Sequence, residues 1–158
     1  MTSMRTDRQQ GWLLIEAMIA ITVLTVGVLG FLFSFQANFR ATREMGNRDL
    51  AQAAVETVLE TLRSGNFTTL YGTYQGARIP APGLVDPAGN PAQVQIQFDV
   101  NETTLAPEYG PVLDIDGDGA MNTTNASASY VLLPTRLTLT YQMSYGPETK
   151  TLFLILAP

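Results

Sequence analysis

The chain has 158 residues, a formal net charge of −5, and neither cysteine nor histidine. This length suits one globular domain, and the missing residue types exclude disulfide bonds, the usual general base near neutral pH and the commonest zinc ligand. Residues 65–158 carry eight acids and three bases, so direct nucleic-acid binding is not expected, and any metal ion would be held by oxygen ligands.

The N-terminal region combines a short polar segment with a long apolar one. Residues 1–11 are polar, and no residue in 17–39 is charged. A helix of that length crosses the hydrocarbon core of a membrane, so we predict a transmembrane helix half over 12–39. The run is longer than that of a cleaved secretory signal and lacks its small-x-small cleavage site. A helix that only anchors the protein would explain every feature of this region except Glu16, because placing a carboxylate in an apolar span costs free energy.

A specific motif surrounds that carboxylate. Gly11 precedes the run Trp12-Leu-Leu-Ile-Glu16-Ala-Met-Ile-Ala20, which resembles the prepilin processing motif of type IV pilins and type II secretion pseudopilins. In those families a prepilin peptidase cuts after the glycine and methylates the new N-terminus, and a glutamate stands fifth in the mature chain. The resemblance implies that residues 1–11 are a cleaved leader and that Trp12, where the family usually has Phe, is N-methylated.

The resemblance also assigns a role to Glu16. In the family this glutamate pairs with the N-terminal amine of a neighbouring subunit. In a low-dielectric bundle an unpaired carboxylate is costly and a paired one fixes the axial register between helices. We therefore expect Glu16 to set subunit register during assembly.

Residues 40–65 are expected to continue the helix as an amphipathic half. Apolar residues recur every four positions, and a second row lies beside them. Glycine at position 65 provides a helix stop. The predicted stripe consists of Leu50, Ala54, Val58 and Leu62, with Ala51, Val55 and Leu59 beside them.

Residues 66–158 are predicted to form a β-rich, pilin-like head. Residues 66–92 are rich in turn residues and indicate a long irregular connection. Alternating apolar residues predict a strand over 93–100 and a hairpin of 136–144 with 150–156, turning at 145–148. Residues 130–133 either extend the second strand or form one of their own. The expected fold is α+β, with a three- or four-stranded antiparallel sheet packed on the helix. The predicted buried face consists of Val94, Ile96, Phe98, Leu137, Leu139, Tyr141 and Met143.

An acidic loop lies between the predicted strands. Asp114, Asp116 and Asp118 alternate and are followed by glycine, a pattern that resembles the start of an EF-hand calcium loop. The carbonyl of Ala120 and the side chain of Asn122 are further candidate ligands, and Asn125 stands where such a loop has a bidentate glutamate. The alternative interpretation is a solvated acidic turn, since Asp-Gly pairs are common turn formers.

These features favour a structural role over an enzymatic one, since no nucleophile constellation is visible. We expect a minor subunit of a type IV pilus or related filament, processed by prepilin peptidase and assembled with other pilin subunits through its N-terminal helix. The absence of a C-terminal disulfide and the residues after Glu16 resemble minor pilins. The alternatives are a type II secretion pseudopilin and a membrane-anchored ligand-binding domain. The implied location is the bacterial inner membrane, as a single-pass protein with its head outside the cytoplasm, followed by incorporation into a pilus or pseudopilus.

Overall fold

The computed structural model describes residues 4–110 and 113–158, with side chains described from Trp12 onward. Within these residues the fold is α+β, as predicted: a long N-terminal helix packs on a four-stranded antiparallel sheet. The helices are α1 (Met4–Ser64) and α2 (Leu70–Tyr74), with single 3-10 turns at Phe67–Thr69, Glu102–Thr104 and Pro107–Tyr109. The strands are β1 (Arg78–Val85), β2 (Pro91–Phe98), β3 (Leu133–Met143) and β4 (Gly146–Leu156).

The chain divides into two compact units, one up to Arg43 and one over Glu44–Pro158. In the first unit, α1 carries apolar side chains on all sides from Trp12 to Phe39, with Glu16 as its one charged residue, and its side chains there are exposed. The hydroxyl groups of Thr22 and Thr25 donate to the carbonyls of Met18 and Ile21, each at 2.7 Å. Both hydroxyl groups therefore bond within the helix, as a polar group must when its surroundings are apolar.

In the second unit, which we call the head, one stripe of α1 enters the core. The buried residues of this stripe are Ala51, Val55, Val58 and Leu62. The predicted stripe also included Leu50 as the first residue of its row, and this was wrong because Leu50 is 43% exposed. A row of every fourth residue rotates by about 40° per step around a helix of 3.6 residues per turn. Leu50 therefore lies on a different side of α1 from Leu62.

The sheet is a meander in the order β1-β2-β3-β4, with every neighbouring pair antiparallel. Its register places Val94 opposite Leu139 and Ile96 opposite Leu137. Alternate side chains of a strand point to the same face, so the apolar residues of β2 and β3 share the face that meets α1. All seven residues predicted for this face are buried, and that prediction is confirmed.

The prediction for residues 66–92 was wrong in part, because this segment contains α2 and β1. Its prolines and glycines suggested an irregular connection. β1 is an edge strand, where proline is tolerated because the outer edge needs no N–H donor. The following turn is held by Asp86, whose Oδ1 accepts hydrogen bonds from the N–H groups of Ala88 and Asn90 at 2.9 and 2.8 Å.

The hairpin of β3 and β4 is longer than predicted. Residues 130–132 lie outside the strands, and β3 begins at Leu133. The register pairs Met143 with Gly146, so the connection is the two residues Ser144 and Tyr145 rather than the predicted 145–148. Gly146 permits this tight turn because its φ is +140°, a value that side-chain-bearing residues rarely adopt.

Candidate functional site

The first candidate site is the start of the apolar helix. Gly11, Trp12 and Glu16 all lie within α1, with no break between them. Trp12 and Glu16 are four residues apart, so they lie on the same side of the helix about one turn from each other. Both side chains are exposed. The predicted leader contains residues 1–3, which lie outside the described residues, and its cleavage stays a prediction.

The surroundings of Glu16 are apolar. Among the residues whose side chains are described, its carboxylate has no hydrogen-bond or ion-pair partner. Its neighbours Ile15, Met18 and Ile19 are each more than half exposed. An ionised carboxylate on such a surface is costly once water is removed, unless a partner stabilises its charge. A cationic group on a neighbouring molecule would be such a partner.

The apolar surface around Glu16 is too large for a water-exposed helix. By length and composition this helix could span a membrane, and none of its most apolar 18-residue window is buried within the protein. Monomeric soluble proteins rarely expose continuous apolar patches of more than a few hundred Å². A surface of this kind is typical of a helix that contacts lipid or other apolar surfaces.

The second candidate site lies in the loop between β2 and β3. Glu102, four residues after the end of β2, is only 3% exposed. Its Oε1 accepts a hydrogen bond from the N–H of Ile115 at 2.6 Å, and its Oε2 accepts one from the N–H of Thr123 at 2.8 Å. This single carboxylate therefore joins the two ends of the acidic loop.

Burial opposes ionisation of Glu102, but backbone N–H groups outweigh it. Desolvation raises its pKa, whereas hydrogen bonds from the backbone of Thr123, Ile115 and Asp116 lower it, and the net pKa lies below the ordinary glutamate value of 4.5. Glu102 is therefore a buried carboxylate held in its charged form at neutral pH.

Two of the predicted ligands lie beside Glu102. One carboxylate oxygen from each of Glu102, Asp114 and Asp116 lies within 4.8 Å of the other two. Asp114 also accepts hydrogen bonds from the N–H groups of Gly117 and Gly119, at 2.7 and 2.8 Å. Asp116 accepts one from the hydroxyl of Thr123 at 2.9 Å.

The remaining predicted ligands are placed differently. Asp118 is exposed, and its Oδ1 accepts a hydrogen bond from the N–H of Ala120 at 2.7 Å. Asn125 is also exposed, and its side chain accepts one from the N–H of Ser127 at 3.1 Å. Asn122 is exposed and Ala120 is half-buried. The described carboxylates that come together are thus Glu102, Asp114 and Asp116.

Glu102 was not predicted as a site residue from the sequence. It lies twelve residues before Asp114, outside any loop motif, in a polar stretch with no periodicity. A usable signal would have been Asn101, which precedes it and caps the 3-10 turn by accepting a hydrogen bond from the N–H of Thr103 at 3.0 Å. That cap turns the chain three residues after the end of β2, where Glu102 enters the loop.

The cluster can act chemically in two ways. Each carboxylate oxygen can accept more than one bond, so three carboxylates at this spacing provide hard oxygen donors of the kind calcium prefers. Alternatively, the hydrogen bonds that these carboxylates already accept from backbone N–H groups are sufficient to stabilise their charge, and the loop is an acidic turn that needs no metal ion.

Comparison with protein-family models, curated proteins and solved structures gives no match. Both candidate sites are therefore interpreted from their own residues.

Proposed function

We propose that this chain is a structural subunit, of the minor kind, of a type IV pilus or related filament. It is made as a precursor in the bacterial inner membrane and assembled through its N-terminal helix. The observation that carries the proposal is the register of Gly11, Trp12 and Glu16 at the start of a helix that is apolar on every side as far as Phe39.

The fold supports this proposal. A subunit of this type needs an apolar helix that associates with membrane lipid first and with other subunits afterwards. It also needs a folded head to display at the filament surface. Here α1 provides the first and then continues into the core of the head, where Val58 and Leu62 are fully buried. The head is therefore attached to the helix through its own core.

The proposed role of Glu16 follows from electrostatics. Cleavage after Gly11 leaves a cationic amine on Trp12. Within a bundle of apolar helices, the Glu16 carboxylate of one subunit is stabilised only by a nearby cation, and the amine of a neighbouring subunit is one. Since this pairing occurs at one axial offset, it sets the stagger between helices, and the chain itself catalyses nothing.

The same N-terminal physics would serve a type II secretion pseudopilin, which is the alternative assembly. A membrane-anchored ligand-binding domain is the second alternative, and it would give Glu16 no function. Genes for a retraction ATPase beside this one would favour a pilus, and genes for a secretin with exported enzymes would favour a secretion machine.

We further propose that Glu102, Asp114 and Asp116 bind calcium. The proposal is supported by three carboxylates within 4.8 Å of one another, for which the described residues provide no cationic partner. Extracellular calcium modules bind with dissociation constants of about 0.1–1 mM, which suits a loop whose carboxylates are already partly satisfied. Calcium would join the loop to the end of β2.

The experiment that tests the filament proposal is co-expression of the full chain with a prepilin peptidase, followed by intact-mass measurement. We expect the wild-type chain to lose residues 1–11 and to gain one methyl group on Trp12. Gly11→Ala should remove nearly all of this processing. Gly27→Ala is the matched control, because nothing lies within 4 Å of a methyl group added there. An unprocessed wild-type chain would refute the proposal.

A second measurement in the same cells distinguishes a filament subunit from a protein that the helix only anchors in the membrane. Glu16→Gln should be processed normally, because it leaves the cleavage position unchanged, but it should be depleted from sheared filaments. If the Gln variant enters filaments as efficiently as the wild type, Glu16 does not set subunit register.

A further inference from the structure

Two arginines directly follow the apolar part of α1. Arg40 and Arg43 are the first charged residues after Glu16, because no residue from 17 to 39 carries a charge. As a helix that uncharged stretch is about 34 Å long, slightly more than the hydrocarbon core of a membrane. When α1 spans a membrane, both guanidinium groups therefore lie at the level of the lipid headgroups.

Both arginines belong to one side of the helix. Together with Gln36 and Phe39 they occupy the positions i, i+3, i+4 and i+7, which share one face of a helix. These four residues line a shallow cavity of about 340 Å³ on the surface of α1, and the side chains of Arg40 and Arg43 are exposed. The cavity therefore combines two guanidinium groups, one side-chain amide and one aromatic ring.

The two positive charges are not neutralised by the residues that the structure describes. Neither Arg40 nor Arg43 forms an ion pair with a described side chain. Glu44 is the acidic residue nearest to them in the sequence, and its carboxylate accepts a hydrogen bond from the hydroxyl of Ser144 instead. The cavity is therefore a cationic site that suits an anion from outside the chain.

An aromatic row, formed by Phe31, Phe35 and Phe39, leads along α1 to the same cavity. The ring centroids of Phe31 and Phe35 are 5.9 Å apart, and those of Phe35 and Phe39 are 4.5 Å apart. Each of the three side chains is at least half exposed. The row extends for about 12 Å along the helix and ends at Phe39, which also lines the cavity. One side of α1 therefore presents an apolar surface that ends at a pair of cations.

We propose that this side of α1 binds one anionic phospholipid, with its phosphate on Arg40 and Arg43 and an acyl chain along the aromatic row. A guanidinium group can donate two parallel hydrogen bonds to phosphate oxygens, and each basic residue near the membrane surface adds to the attraction for anionic lipid. The amide of Gln36 can donate one more. This inference rests on the part of the proposed function that inserts α1 into a membrane.

An acidic side chain of a neighbouring subunit is the competing occupant of the cavity. Such a carboxylate matches the charge of the two arginines only. A phospholipid carries its charge and its apolar chains in the same order in which α1 presents the arginines and the aromatic row. It also lies at the same depth in the membrane. The combination of the two features therefore favours lipid.

Native mass spectrometry tests the lipid preference of the full chain. The protein is purified in detergent with equal amounts of phosphatidylglycerol and phosphatidylcholine that have the same acyl chains, and we expect it to retain the anionic lipid. Arg40→Gln combined with Arg43→Gln should reduce that retention about tenfold to thirtyfold, as for the loss of two basic residues at the membrane surface. Arg63→Gln is the matched control, since Arg63 is an exposed arginine in the last turn of the same helix.

Two further arms of the experiment define the site. Arg40→Lys combined with Arg43→Lys keeps both charges but loses the forked donors, so retention should fall between the wild type and the Gln variant. Retention equal to the wild type would indicate a general charge effect and would overturn a defined site. Glycerol phosphate has the charged headgroup without acyl chains and should not displace the lipid at the same concentration. Displacement would indicate a site for free phosphate and would overturn the proposal.

The remaining outcomes separate this inference from the filament proposal. A wild type without preference for phosphatidylglycerol, or an equal loss in Arg63→Gln, would overturn lipid binding. A Gln variant that keeps its lipid but is depleted from filaments would assign the two arginines to a neighbouring subunit and would also overturn it. Processing after Gly11 is recorded on the same protein, co-expressed with prepilin peptidase. A processed chain without lipid preference contradicts this inference alone, whereas an unprocessed chain that retains phosphatidylglycerol contradicts the proposed function alone.

Discussion

The first unit and the head contain similar apolar side chains but place them in opposite environments. Between Trp12 and Phe39 the large apolar side chains of α1 are all exposed, including Leu24 at 67%. Further along the same helix, Leu62 is fully buried. The difference arises because the head provides a sheet for one stripe of α1, whereas within the described residues the most apolar window of the first unit is not buried. The head therefore folds around its own core, whereas the first unit has the length and composition of a helix that could span a membrane.

Polar side chains in the two units also differ in whether they have hydrogen-bond partners. In the head, no buried side-chain nitrogen or oxygen atom among the described residues lacks a hydrogen bond. Glu102 is buried, yet both of its oxygens accept backbone N–H groups. Glu16 has no comparable partner among the described residues of its unit. The buried polar side chains of the head are thus satisfied within the head, whereas Glu16 lacks such a partner among the described residues.

The largest expected effect tests the difference in apolar packing. Leu62→Ala should lower the free energy of unfolding of the head by about 2–5 kcal/mol, because it leaves a cavity in the core. Leu24→Ala is the matched control, and it should change that free energy by about 0.5 kcal/mol or less, as at exposed positions. Urea denaturation of the full chain in detergent, followed by near-UV circular dichroism, measures both. Equal losses would mean that the head depends on the first unit for its stability.

A smaller effect is expected where a buried carboxylate stabilises the head. The pKa of Glu102 is lowered on folding, so its contribution to stability is present above the unfolded pKa of about 4.5. It is lost as the pH falls through the lower folded pKa. Glu102→Gln should therefore destabilise the head at pH 7, by less than Leu62→Ala.

The pH dependence supplies the check on that prediction. The difference in stability between the wild type and Glu102→Gln should shrink as the pH falls from 5 to 3, measured by the same urea denaturation at each pH. Glu108→Gln is the control, since Glu108 is exposed and its change should have little effect at any pH. A difference that stays constant with pH would indicate that the loss comes from altered packing and not from the charge of Glu102.

The pattern of apolar residues correctly predicted those strands whose buried face follows from that pattern alone. Alternation marked β2 and β3, and the residues predicted for their core face are the ones that are buried. The pattern failed at β1, where Pro80 and Pro82 hide a strand, because an edge position tolerates residues that an interior strand does not. It also misplaced Leu50, since a strict four-residue row departs from the true helical period.

The two candidate sites also differ in how far they could be predicted from the sequence. The N-terminal motif is local, so its residues and spacing were visible in the sequence. The acidic cluster is not local, because Glu102 reaches Asp114 and Asp116 only when β2 ends and the chain turns at Asn101. Asp118 and Asn125 were predicted as ligands from loop spacing, but their side chains instead accept hydrogen bonds from N–H groups two residues ahead. Local hydrogen bonding of this kind competes with any longer-range arrangement.

The smallest expected effect is stabilisation of the head by calcium. It would weaken the contrast between the two units, because the stability of the head would then also depend on an external ion. If calcium binds with a dissociation constant of about 1 mM, 10 mM calcium stabilises the head by about 1.4 kcal/mol and raises its Tm by several degrees. Chelation should reverse this rise, and Asp116→Ala should abolish it. Asp86→Ala is the control, since Asp86 bonds within a separate turn. A Tm that is unchanged by calcium would leave the loop as an acidic turn, closed by Glu102 and its backbone hydrogen bonds alone.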